Sequence, residues 1–435
     1  MTAVLDRPAT VRPVAVRHTA ARPAAASAVG APVPSAPISP LAAVVGAETT
    51  VPTTAWGARA YANFDYAASA PALVSVAAEL STALSEYASV HRGAGHLSQL
   101  STTRYEQARE SVRRFLGGRA DDTVVFTRNT TDSLNLAAHV VPGDVVVLDI
   151  EHHANLLPWT RTGRARVVSA AGTVEETIAR LEAELAASPA ALLAVTGASN
   201  VTGEVLPIGR LAAAAHRHGA RILVDAAQLA PHRGISLASW GIDYLALSGH
   251  KLYAPFGAGV LIGRSDWFDA AEPYLAGGGA SASVAADGTV DWHAGAARHE
   301  AGSPNVLGAV ALAAAADALD GIGFEAIGYH EHRLRQRLDE GLALLPGVRT
   351  LRVFDDAPDS VGIVAFAVEN HTARSVAEYL SVTHGIGVRD GKFCAHPLLA
   401  RLGYPDGAVR LSFGLGTSSD DVDRVLGALS ELVTR

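Results

Sequence analysis

Seven short apolar runs constrain this chain more than any other feature: Thr123–Phe126, Asp144–Ile150, Arg166–Val168, Ala190–Val195, Arg221–Val224, Tyr244–Leu247 and Gly259–Ile262. Helical stretches such as Thr131–His139, Val174–Ala187 and Ile208–His218 separate several of them. A strand that is apolar at successive positions must be covered on both faces. Alternation with helices supplies that cover. The pattern predicts the α/β class, a mostly parallel seven-stranded sheet covered by helices. Past a glycine-rich loop at Gly277–Gly279 the layout changes. An alanine-rich helix over Val306–Leu319, a helix over Tyr329–Leu345, strands near Val348–Val353 and Gly362–Val368, a helix over Ala373–Thr383, a loop bearing Cys394 and a last helix over Ser419–Val433 predict a smaller C-terminal α+β domain.

Ahead of the sheet, residues 1–55 are rich in Ala, Pro and Val. Arg7, Arg12, Arg17 and Arg22 recur every five residues, which scatters charge around a helix, and prolines interrupt the stretch. This composition predicts a disordered extension, with a targeting segment as the alternative because acids are scarce. Folding is expected to begin near Tyr61, with helices from Pro71 to about Tyr87 and from Gln99 to Phe115. The expected division is an extension over residues 1–55, a segment over 56–75 joining the small domain, a large domain over 76–315 and the small domain over 316–435.

A net charge of −8 points to neither nucleic acid nor an anionic membrane as partner. The apolar run Val306–Ala316 is shorter than the roughly 20 residues of a spanning helix. One thiol, Cys394, makes neither an internal disulfide nor a zinc cluster, so a cytoplasmic setting is expected.

In a sheet of this kind ligands sit beyond the carboxyl ends of the strands. Residues just after the runs are therefore candidates. Asn129-Thr-Thr131 opens a helix, as a phosphate cradle or as an ordinary cap. Glu151-His-His-Ala-Asn155 and Gly197-Ala-Ser-Asn-Val-Thr-Gly203 follow the next runs. Asp225 directly ends Ile222-Leu-Val, where a carboxylate needs a cation, an N-cap role or a salt bridge. A protonated pyridoxal phosphate ring is one such cation. Ser248-Gly-His-Lys251 lies between two apolar segments, and Lys251 either snorkels to water or is a poorly solvated, nucleophilic amine.

Together these stretches, with Ser199-Asn-Val-Thr-Gly203, Val224-Asp-Ala-Ala-Gln228, Glu300-Ala-Gly-Ser-Pro-Asn305 and Arg389-Asp-Gly-Lys-Phe-Cys394, resemble the fold-type I pyridoxal-phosphate enzymes of the class V aminotransferase group. The likeness is nearest to the second group of cysteine desulfurases and the selenocysteine lyases, and it runs from about Tyr61 to the C-terminus. It implies pyridoxal 5'-phosphate as cofactor in the large domain. Lys251 would hold it, Asp225 would face its ring nitrogen and His152 would stack on the ring. Asn200 and Gln228 would lie near its phenolic oxygen or the substrate. Thr130, Thr131, Ser248 and His250 would bind phosphate, with Ser303 entering from the second subunit of a homodimer. Arg410 would grip the substrate carboxylate, with Arg389 as an auxiliary contact.

Cys394 stands where those desulfurases carry their catalytic thiol, which implies conversion of L-cysteine, or a related thiol or seleno amino acid, to alanine with a persulfide on Cys394. A sulfur-acceptor protein would follow. Lys392-Phe393 replaces two histidines usual before the thiol, and His396 replaces an apolar residue. Asp390 and the long extension are also departures. The alternatives are another reaction on the same scaffold, such as that of a C–S lyase, epimerase or aminotransferase, or a scaffold protein without turnover.

Overall fold

The structure is a computed structural model that describes residues 36–91 and 93–434. Its central sheet contains β1 (Asp122–Thr127), β2 (Val145–Leu148), β3 (Ala165–Val168), β4 (Leu192–Thr196), β5 (Arg221–Asp225), β6 (Tyr244–Ser248) and β7 (Gly259–Arg264), in the order β1-β7-β6-β5-β4-β2-β3. β2, β4 and β6 are buried at every position because helices lie on both faces. All neighbours are parallel except β7, which runs against both β6 and β1. The reason is the link from β6. Residues 249–258 turn back without a crossover helix, and Gly249 N–H donates to Ala258 O at 2.8 Å to close the turn. Lys251 sits in that turn.

Every strand but β7 points its carboxyl end to one edge. There β1 leads into helix Thr130–Val140, whose Asn129 cap accepts from Asp132 N. Gly259 permits this approach, since a Cβ there would meet Asn129 Cα at 2.6 Å. At β2 the chain enters helix His153–Arg161, capped by the His152 side chain.

The smaller sheet is antiparallel, ordered Val348–Thr350, Ile363–Val368, Ala408–Ser412, Arg389–Gly391. Leu334 and Leu338 from helix Phe324–Ala343, Val376 and Leu380 from helix Ala373–His384, and Val422 and Leu429 from helix Ser419–Val433 pack a separate core with it. Ile38, Ala62 and Phe64 join that core from the other end of the chain. Residues Ile38–Arg435 form one compact unit. The expected boundary at residues 315 and 316 falls inside helix Val306–Ile322, which packs on helices Val74–Glu86 and His96–Phe115.

The expected extension over residues 1–55 divides here. Residues 1–35, with Arg7, Arg12, Arg17 and Arg22, lie outside the described residues. From Ile38 on the chain is fixed: Ile38 N–H donates to Ser419 Oγ at 3.0 Å, and Thr50–Thr53 pairs with Gly57–Ala60. Contacts with residues hundreds of positions away supply this order. Among the described residues no single helix is long and apolar enough to cross a membrane.

Candidate active site

Beyond the carboxyl ends of β1, β2, β4, β5 and β6 lies a cavity of about 280 Å³. Thr130, Thr131, His152, Asn200, Asp225 and Gln228 line it, as do Ser248, His250, Lys251, Arg389, Cys394 and Arg410. The structure thus gathers every sequence-derived candidate except Ser303. In its own chain Ser303 is exposed and lines a separate hollow with Tyr87 and Ser89.

One wall is built to meet an anion. Thr130 is buried at the first turn of helix Thr130–Val140, and its N–H donates to Ser248 Oγ at 2.7 Å. The two hydroxyls are 2.6 Å apart. Helix N–H groups and hydroxyls in this setting suit phosphate oxygens. His250 contacts Ser69 Oγ at 3.4 Å and stacks on the exposed ring of Phe256. Burial, helped by nearby Lys251, lowers the His250 pKa to about 4, so its imidazole is neutral.

Asp225 lines the cavity, and Glu151 lies buried near it without lining it. Asp225 is 4% exposed and its Oδ1 accepts from Ala227 N at 3.0 Å. Burial raises its pKa, against the Ala227 N–H and the Lys251 charge. A cationic ring nitrogen over its free face would relieve that burial cost. Glu151, also buried, accepts from Thr196 N and Asn155 Nδ2 at 3.0 and 2.7 Å. Burial pushes it to about 8 despite those donors.

Lys251 reaches the same space from the β6 turn. Its surroundings desolvate the ammonium and lower its pKa to about 8, with Asp225 opposing and Arg410 assisting. His152 lines the same cavity. Its Nδ1 accepts from Ala154 N at 3.0 Å, which leaves the proton of the neutral ring on Nε2. Burial first, then Lys251, lowers its pKa to about 3, so that ring stays neutral. Gln228 commits its Nε2 to Ala67 O at 2.7 Å and leaves its Oε1 for a ligand.

The last wall comes from the small sheet. Arg410 is 4% exposed, with Nη1 donating to Asn200 O at 2.8 Å and Nη2 to Asp65 Oδ1 at 3.3 Å. Its Nε is buried with no hydrogen-bond partner among the described residues. Burial lowers its pKa to about 10, with Asp65 opposing. Arg389 lies 3.8 Å from the other Asp65 oxygen. Asp65, which sequence reasoning missed, is therefore the anion that both arginines share. No local signal in the sequence marks it, because Arg410 lies 345 residues away.

Cys394 is exposed at the cavity rim, on a turn where Phe393 and Cys394 both take φ of 52°. Left-handed backbone at two successive non-glycine residues needs outside support. Asn200 Nδ2 donates to Phe393 O at 2.7 Å, and His153 N–H donates to Cys394 O at 2.8 Å. Lys392 is exposed and is not part of the cavity lining, while His396 packs edge-on against the His153 ring.

A family model described as aminotransferase class-V matches residues 62–425. The chain is 37% identical to a cysteine desulfurase of Dickeya dadantii over 361 residues, 80% of this chain and 86% of that protein. Against a cysteine desulfurase of Klebsiella pneumoniae it is 35% identical over 360 residues, with the same shares. The solved apo structure of a cysteine desulfurase from Thermococcus onnurineus superposes with a TM-score of 0.80 at 35% identity, covering 86% of this chain and 95% of that one.

Proposed function

The chain belongs to the class-V aminotransferase family and is an enzyme of the cysteine desulfurase kind; we propose that its cavity holds pyridoxal 5'-phosphate and passes the sulfur of L-cysteine to Cys394. The observation that carries this reading is the convergence of Lys251, Asp225, Arg410 and Cys394 on one cavity beside the Thr130–Ser248 hydroxyl pair. The residues present fit the group. Asp225 offers a buried carboxylate to its ring nitrogen, the hydroxyl pair and neutral His250 suit its phosphate, and Lys251 is an amine for its aldehyde. When bound, the cofactor supplies an electron sink for the bond broken at the substrate Cα.

The chain's own residues do the rest. Arg410 and Arg389 orient the substrate through its carboxylate. The Lys251 amine, which burial shifts toward its neutral form, takes the Cα proton at Nζ. His152 lines the same cavity and presents its Nε2 proton. Cys394 Sγ attacks the substrate sulfur, so the carbon–sulfur bond breaks as the sulfur–sulfur bond forms. Protonation of the carbon left behind gives alanine, and the persulfide stays on the exposed Cys394. That exposure suits delivery to an acceptor protein. A homodimer completes the proposal, with the partner copy's loop of Ser303 closing the phosphate side.

Wild type and Cys394→Ser incubated with L-cysteine and a reductant test the reading. Alanine and sulfide should form together in the wild type alone. Equal rates in both proteins would refute transfer to Cys394.

A further inference from the structure

Phe393 stands at a position where resemblance leads one to expect histidine, and its ring lies over the guanidinium of Arg410 with Cζ 5.1 Å from the ring centroid. We infer that Phe393 is a positioning residue for the Arg410 carboxylate site: it covers one face of the guanidinium and ties that group to the turn bearing Cys394. The inference rests on the reading of Arg410 as the carboxylate grip.

Three observations meet here. First, Phe393 is 9% exposed and Arg410 4%, so the pair is withdrawn from bulk water, where a cation over an aromatic face gains most. Second, two of the three guanidinium nitrogens already hold Asn200 O and Asp65, while the buried Nε has no partner among the described residues. The guanidinium is thus held by the chain on two nitrogens and by the ring on one face, so a substrate carboxylate meets a cation whose orientation is already fixed. Third, Asn200 links the two elements. Its carbonyl accepts from Arg410 Nη1, and its Nδ2 donates to Phe393 O. Phe393 thereby touches Arg410 twice, by its ring and through Asn200, and Cys394 is the next residue. A histidine in place of Phe393 would bring a more polar, titratable ring over the same cation. Phenylalanine adds no charge and keeps water from the guanidinium face.

The test uses holoenzyme and two thiols that each lack one substrate group: 3-mercaptopropionate has the carboxylate without the amine, and cysteamine the amine without the carboxylate. Dissociation constants are read by calorimetry, alongside KM and kcat for L-cysteine. Phe393→Leu should weaken 3-mercaptopropionate about fivefold and leave cysteamine unchanged. KM should rise with it. Phe393→Tyr, which keeps the ring, should bind both as wild type does. If the leucine variant fails to retain cofactor, Phe393→Met serves the same arm. Unchanged binding of 3-mercaptopropionate, or equal weakening of both thiols, would overturn the role of Phe393. Arg410→Gln separates the premise: if it binds 3-mercaptopropionate as wild type does, Arg410 is not the carboxylate grip. If it binds weakly while Phe393→Leu binds normally, only the Phe393 inference falls.

Discussion

The main-chain N–H of His153 donates to the carbonyl of Cys394 at 2.8 Å, so the first residue of helix His153–Arg161 holds the thiol turn. Proline is well accommodated at the first helical position, and the preceding His152, at φ −58° and ψ 147°, has the extended backbone that proline requires before it. His153→Pro therefore removes this one donor and spares the helix. A hydrogen bond of this kind contributes about 0.5–1.5 kcal/mol, so single-turnover alanine formation should slow roughly two- to tenfold. His153→Ala loses the same side chain and keeps the N–H, and should be faster than the proline variant.

Capture of the cofactor by apo protein should speed up as pH rises through about 8, the value to which burial lowers Lys251. Only the neutral amine attacks an aldehyde, so below that pH most of the protein waits on deprotonation. The signs of the neighbours give the variants. Asp225→Asn removes a charge that favours the ammonium and should move the midpoint down. Arg410→Gln removes one that disfavours it and should move the midpoint up. Stopped-flow absorbance of pyridoxal phosphate capture measures both, and Lys251→Ala should bind the cofactor without borohydride-fixable linkage.

Asp225→Asn should also make the apo protein more stable and reduce the stabilisation that bound cofactor adds. The folded pKa of Asp225 is raised by burial, so its favourable contribution is fully present below the unfolded carboxylate value of 3.8 and is lost as pH rises through the folded value. Asparagine does not titrate and keeps the acceptor for Ala227 N–H. The apo variant should accordingly gain on the wild type as pH rises from the acid range toward neutrality. Thermal unfolding of apo and holo forms against pH checks this, with the gap between forms smaller in the variant.

What the sequence makes legible follows from how local each cause is. β2, β4 and β6 are apolar at successive positions because both faces are covered, and that signal survives in the string of letters. So does Asp225, a charge at the end of such a run. The capping box of Ser418 and Asp421 likewise marks the last helix where it starts. Three features have no local signal. Ile38 is fixed by Ser419, 381 residues away, so an Ala- and Pro-rich stretch that reads as an extension is ordered by a distant partner. Asp65 meets Arg410 345 residues away. Phe393 and Cys394 adopt left-handed backbone without glycine because Asn200 and His153 hold their carbonyls.

Glu300 gives the largest expected loss of stability. Its side chain is 7% exposed and its two oxygens accept from Phe126 N at 2.6 Å, from Tyr105 Oη at 2.9 Å, and from Arg109 at 2.8 and 2.9 Å. Burial works against the charge of Arg109, but Glu300 outweighs it and raises the arginine pKa. Glu300→Ala would leave a strand N–H and a phenol without their acceptor, while Arg109 keeps Glu106 and the Val124 carbonyl, at a cost of about 1–3 kcal/mol for each buried donor left unpaired. Glu300→Gln keeps one good acceptor and should cost less. Glu300 anchors the start of the loop bearing Ser303 to β1 through Phe126 N–H and to helix His96–Phe115 through Arg109, and Asn305 anchors its end to the Gly257 carbonyl. Urea unfolding of apo protein should show the alanine loss directly. If Ser303 serves the phosphate side of a partner copy, the same variant should weaken cofactor retention in the dimer more than Ser303→Ala does, because it loosens the start of the loop and not one hydroxyl.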